Sequence, residues 1–167
     1  MGILQTHAAV TLALAAVLWV VQLVVYPAFR WIDPAHFVVW HEGYTGAVTW
    51  VVAPLILIQT AGVAARFWLL EGPDPLWVLE AACTLAAWAV TVFVSVPLHT
   101  RLQRDLPPAS RLAAMQRLVQ TNWLRTLPWS VCAACSWIAA SKTAFYPPCD
   151  VPFFRSPPGT RARPTRH

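Results

Sequence analysis

The chain has 167 residues, 57% of them hydrophobic and 11% charged, with a formal net charge of +5 and a mean hydropathy of +0.52. Soluble domains carry about 25% charged residues, so this composition excludes an ordinary water-soluble domain and a disordered polar chain alike. The basic excess lies in Arg101 to Arg125 and Arg155 to Arg166, beside apolar segments rather than on a soluble basic face, which points to lipid headgroups or protein partners and away from nucleic acid.

In chain order, four stretches of sixteen to twenty-two residues lack any charged side chain: Ala8 to Phe29, Thr45 to Ala65, Ala81 to Leu98, and Thr126 to Ser141. A bilayer core about 30 Å thick needs roughly 20 apolar residues at 1.5 Å each, and a central charge costs on the order of 3 kcal/mol. The expectation is an all-α bundle of four transmembrane helices, with spans about 8–29, 45–70, 76–98 and 124–145, forming one membrane domain over residues 1–146. Met1 to His7 has no Lys or Arg, and the apolar run after it is too long for a signal h-region, so the first span is expected to stay in the mature protein. Ionisable groups are expected at the two rims, leaving the hydrocarbon middle chemically inert.

The chain looks like two related halves. Spans one and three each end in proline after a valine-rich turn, Val24-Val25-Tyr26-Pro27 and Val94-Ser95-Val96-Pro97. Asp33-Pro34 and Pro107-Pro108 then open new helices, and Pro54 and Pro128 follow twenty residues after Pro34 and Pro108. A capping carboxylate and a first-turn proline both relieve the unsatisfied N–H groups of a helix start. Helices two and four are thus expected to run from Pro34 to about Leu70 and from Pro108 to about Phe145, each near 55 Å and longer than the membrane is thick, projecting from one face. Trp31, Trp40, Trp123 and Trp129 are expected at that boundary and Trp68 and Trp77 at the other, as interfacial belts.

Antiparallel spans gather one dense polar group on the projecting face: Tyr26, His36, His41, Glu42, Tyr44, His99, Asn122 and Arg125. On the fourth helix Asn122, Arg125 and Trp129 share a face. His36 lies about 140° from His41 at 100° per residue, so the two cannot ligate one metal from a regular helix, and a site using His41 must recruit His99 across the bundle. His41 is therefore the working histidine of such a site and His36 an exposed one, with His7 and His167 incidental. The cluster has two readings. One is a small membrane oxidoreductase or oxygenase with an interfacial site at His41, His99, Asn122 and Arg125, where His41 and His99 act as metal ligands or proton carriers beside a quinone or pigment and Arg125 holds an anion. The other is ordinary helix-end polarity bound to lipid headgroups and water.

Deeper polar residues, Gln22, Gln59, Thr91, Ser95 and Ser136, are expected to tie helices together. Cys132 and Cys135 lie one turn apart near the depth of Cys83 and are read as small packing residues, because the C-x-x-C lacks a second pair and a soluble βαβ setting. Residues 147–167 carry Pro147, Pro148, Pro152, Pro157, Pro158 and Pro164 among arginines; such a tail cannot build a core. It is expected to lie along a partner subunit through Phe153, Phe154, Arg155, Arg161 and Arg163.

Val21-Gln22-Leu23-Val24-Val25-Tyr26-Pro27-Ala28-Phe29, His41, Val52-Ala53-Pro54-Leu55 and Thr121-Asn122-Trp123-Leu124-Arg125-Thr126 with Trp129 resemble a group of uncharacterised small four-helix bacterial membrane proteins. In size and span count the chain is also similar to anthrone-oxygenase-like membrane proteins. The likeness covers most of residues 10–130 and implies the fold. Val25 stands where that pattern has a His before Tyr-Pro, so no metal or acid–base role carries over to that position. The resulting expectation is a noncatalytic accessory or scaffolding subunit of a larger membrane complex, in the bacterial inner membrane with periplasmic termini, partnered by other integral membrane subunits and lipids; the oxidoreductase is its rival.

Overall fold

The computed structural model describes residues 2–69 and 74–145, and these form four long helices with no strand among them. Helix α1 spans Ile3–Trp31, α2 Phe37–Leu69, α3 Pro75–Leu102 and α4 Pro108–Phe145. Short connections make sequence neighbours antiparallel. Helix α4 packs closely on α1 and α3, and α1 packs on α2, whereas α2 and α3 touch sparingly. The bundle therefore has one loose seam, between α2 and α3.

Three of these helices, α1, α2 and α3, are long and apolar enough to cross a membrane. The expected fourth span falls short of that measure, and its side chains show why. Helix α4 turns Asn122, Arg125, Thr126 and Ser136 into the bundle while Leu124, Leu127, Trp137 and Ile138 are exposed. Between Asn122 and Ser136 its polarity is turned largely to the interior, while Gln116, Arg117, Gln120 and Lys142 are exposed nearer its two ends. Outward-facing Leu85, Phe93, Trp31 and Trp68 extend the same apolar exterior around the other helices, an exposure unusual for a monomer in water. Trp129, expected at a boundary, is instead fully buried, packing with Leu14, Leu18, Ile56, Ala87 and Cys132 in one of two core clusters.

The proline repeat has a direct structural consequence. Helix α1 widens into a π-helical turn at Val21–Val25 and α3 does so at Thr91–Ser95, each just before Tyr26-Pro27 or Val96-Pro97. A proline ring collides with the carbonyl four residues back, here Leu23 or Phe93, and supplies no N–H to it; one wide turn absorbs both defects. The two halves thus match in local backbone as well as in proline spacing. Asp74 opens α3 as the sequence indicates, accepting from the Trp77 amide at 2.7 Å ahead of Pro75, whereas Asp33, accepting from the Ala35 amide at 2.9 Å, shapes a turn over 34–36 and α2 begins at Phe37 rather than at Pro34. The Ala35 bond, and then the bond to His36, hold the exposed Asp33 carboxyl below the usual carboxylate range. The end of the bundle expected to project is a packed layer of Phe29, Phe37, Leu98, Leu102, Ala114 and Leu118, pinned by Arg111 donating to the Pro34 carbonyl at 2.8 Å.

Candidate functional site

Two polar clusters lie inside the bundle, one anticipated and one missed. The anticipated one begins at the wide turn of α1, which presents Tyr26 to α3. The Tyr26 hydroxyl lies 3.4 Å from His99 Nε2, and His99 Nδ1 lies 3.2 Å from His41 Nε2. His41 is fully buried, stacked on Phe37 at 5.4 Å between ring centroids and edged by Phe29, and its Nδ1 has no partner. The structure thus joins His41 to His99 across the bundle, while His36 stays exposed on Asp33. Among the described residues no three His, Cys, Asp or Glu side chains converge as metal ligands. Each neutral imidazole carries one proton on either nitrogen, so the Tyr26–His99–His41 line can pass a proton by exchanging tautomers along its length.

Asn122 and Arg125 sit beside this line, deeper than expected. Asn122 donates to Gln22 Oε1 at 2.7 Å and Gln22 donates to the Val119 carbonyl at 3.3 Å, which levels them nine residues inside the Trp31 end of α1, about 13 Å at 1.5 Å per residue. Arg125, a turn further in, donates to Asn122 Oδ1 at 3.3 Å. Its Nε has no partner and no carboxylate lies within ion-pair distance of it among the described residues. An arginine well inside the helix bundle corrects the expectation of an inert middle.

The second cluster lies at the opposite end. Glu80 on α3 is fully buried and takes both His7 of α1, at 2.7 Å, and Arg66 of α2; Arg66 also reaches Asp74 at 3.6 Å. His7, read as incidental, is a buried hydrogen-bond partner of Glu80. Its imidazole fits because residue 62 is glycine: a Cβ on Gly62 would overlap His7 Nδ1. Local pattern gave no hint of this cluster, since each member stands within a turn or two of a helix end and resembles an ordinary rim residue. The usable signal was the set of short loops, which brings the start of α1, the end of α2 and the start of α3 to one end.

Other expected helix ties divide. Gln59 donates to Thr84 Oγ1 across α2 and α3 at 3.1 Å, and Gln22 links α1 to α4. Thr91 and Ser136 bond within their own helices, and Ser95 Oγ has no partner. Cys132 and Cys135 are buried and unpaired, Cys132 lying 3.6 Å from Thr84 Oγ1. Phe153, Phe154, Arg155, Arg161 and Arg163 lie outside the described residues.

The loose seam holds the site's open space. At one end it is tied by the Arg66–Glu80 pair, Gln59–Thr84 and Trp88 donating to Thr60 at 3.0 Å; at the other by His41–His99 and Gln103 donating to Thr45 at 3.1 Å. Between these ties a cavity of about 800 Å³ opens, with Val48, Val52, Ile56, Leu18 and Trp88 in its apolar wall, Tyr26, Tyr44, Ser95, His99 and Arg125 among its polar lining, and Glu42, Gln103 and several threonines completing it. Comparisons with protein-family models, curated proteins and solved structures return no match for this chain. Its chemistry is therefore read from this geometry: an apolar slot with a few convergent polar groups, the usual form of a small-molecule site.

Proposed function

We propose that this chain is a four-span integral membrane protein that holds a lipid-soluble amphiphile between α2 and α3, with the head group at Tyr26, Tyr44, His99 and Arg125. The observation that carries this reading is the seam, bonded at both ends and open between them, with polar groups gathered on an otherwise apolar cavity. Treating α4 as a span follows from its inward polar face and outward Leu124, Leu127, Trp137 and Ile138, an arrangement suited to lipid and not to water. Among the described residues Arg30, Arg101, Arg104, Arg111 and Arg117 stand near one end, against Lys142 and the ion-paired Arg66 near the other. The positive-inside rule then favours cytoplasmic 32–36 and 103–107 loops and an N-terminus across the membrane, as in a bacterial inner membrane.

The test is photolabelling with a membrane-soluble alkyl diazirine. Adducts concentrated on Val52, Ile56 and Trp88, and lost in Val52→Trp, support a cavity ligand; uniform labelling of outward residues such as Leu85 and Leu23 contradicts it.

A second reading is favoured by the Tyr26–His99–His41 line, which reaches the cavity through Tyr26 and His99. It supports a membrane oxidoreductase or oxygenase in which this line moves a proton to or from a bound head group. The accessory-subunit role is supported only by the composition of residues 147–167, outside the described residues.

A further inference from the structure

We propose that the amphiphile carries an oxyanion head, specifically a single-chain carboxylate, and that Arg125 and Ser95 hold it. The inference rests on the cavity reading above and names the chemistry of its ligand.

Arg125 is 8% exposed, lines the cavity, and among the described residues has Asn122 as its one hydrogen-bond partner. A guanidinium does not deprotonate in proteins, and a buried charge without a counter-charge is costly, so such a group signals an absent anion. Glu42, the one carboxylate on the cavity lining, is exposed and forms no ion pair with it. The contrast within the molecule is direct: Arg66 has Glu80 and Asp74, and Arg111 has Asp105 at 3.3 Å.

Ser95 gives an independent observation. Thr45, Thr49 and Thr91 return their hydroxyls to their own helices at 2.7–2.9 Å, the ordinary refuge of a helical hydroxyl in an apolar setting. Ser95, in the wide turn of α3 and 2% exposed, does not; its Oγ is buried without a partner among the described residues, and the residue borders the cavity. The Tyr44 hydroxyl and the Tyr26 hydroxyl, the latter 3.4 Å from His99, line the same cavity, which thus offers donors beside a fixed positive charge. That set rejects a cationic head and suits an oxyanion, which accepts at every lone pair and matches the planar guanidinium fork. The apolar remainder accommodates one chain, since a cavity of about 800 Å³ is the size that encloses one small ligand. A phospholipid phosphate offers the same oxyanion and differs in carrying a second chain.

The experiment uses the full chain in phosphatidylcholine nanodiscs, titrated with a long-chain fatty acid and with the fatty alcohol of equal length. The acid is expected to bind at least about tenfold more tightly, as charge-assisted hydrogen bonds imply. In Arg125→Gln the acid should fall to the level of the alcohol while alcohol binding persists, which shows that the cavity is intact. Ser95→Ala should give a smaller loss. Equal binding of acid and alcohol by the unaltered protein overturns the oxyanion assignment and leaves the cavity reading standing, whereas binding of neither overturns both. Undiminished acid binding by Arg125→Gln also overturns it. Displacement of the acid by phosphatidic acid in the disc assigns the oxyanion to a lipid headgroup; no displacement assigns it to a free carboxylate.

Discussion

Arg66 and Arg125 are both buried, on opposite terms. Arg66 closes a four-residue ionic cluster in which Glu80 takes both it and His7, with Asp74 beside it. Arg125 meets an amide and a cavity. The first arginine has its charge balanced by the fold itself, although its Nε, like that of Arg125, has no hydrogen-bond partner, and it joins α2 to α3 at the end where α1 also arrives. The second is a cost the fold carries, beside open space that a ligand can fill. Burial alone does not separate structural from ligand-binding charge; the presence of a counter-charge does.

The comparison is most easily broken at Glu80. Glu80→Gln leaves Arg66 and His7 without their shared carboxylate and should cost about 3–5 kcal/mol of stability, read by unfolding in a neutral detergent. Removing the charges together, as Arg66→Met with Glu80→Leu, should restore most of that loss. A small effect of Glu80→Gln would mean that water reaches the cluster.

Next in size is Gly62→Ala. A methyl there meets the His7 ring, and overpacking of this kind costs about 1–3 kcal/mol. His7→Ala in the same chain should relieve the clash, so the two changes combined should be less damaging than their sum. Strict additivity in the same unfolding assay would show that the ring is not held against α2.

The smallest effect is expected in the other cluster. Gln22→Leu removes the bonds that tie α1 to Asn122 and Val119, and interhelical hydrogen bonds in membranes average about 0.6 kcal/mol, reaching about 1.7. A loss as large as that of Glu80→Gln would place the structural keystone at the wrong end.

The two ends also differ in how far they could be read from sequence. The four uncharged stretches, the inward His41 against the outward His36, the cross-bundle partnership of His41 with His99, and the shared face of Asn122, Arg125 and Trp129 all follow from helical periodicity and antiparallel packing. Asp33 and the two proline-terminated turns follow from local chemistry. The His7–Glu80–Arg66 cluster does not, because it joins residues up to 73 positions apart and each looks like a rim residue by itself. The depth of Arg125 was hidden for a related reason: its place at the edge of an uncharged run says nothing of how far α4 extends beside α1, which the Asn122–Gln22 bond fixes.

The central claim is that one buried arginine belongs to the fold and the other to a ligand. It is tested most directly by measuring the stability of Arg66→Met and Arg125→Met side by side in a neutral detergent free of anionic amphiphile. The account predicts a loss of about 3–5 kcal/mol for Arg66→Met, which leaves the buried Glu80 carboxylate with only the His7 imidazole, and no loss or a gain for Arg125→Met, which strands no charge. Equal losses at the two positions would contradict it.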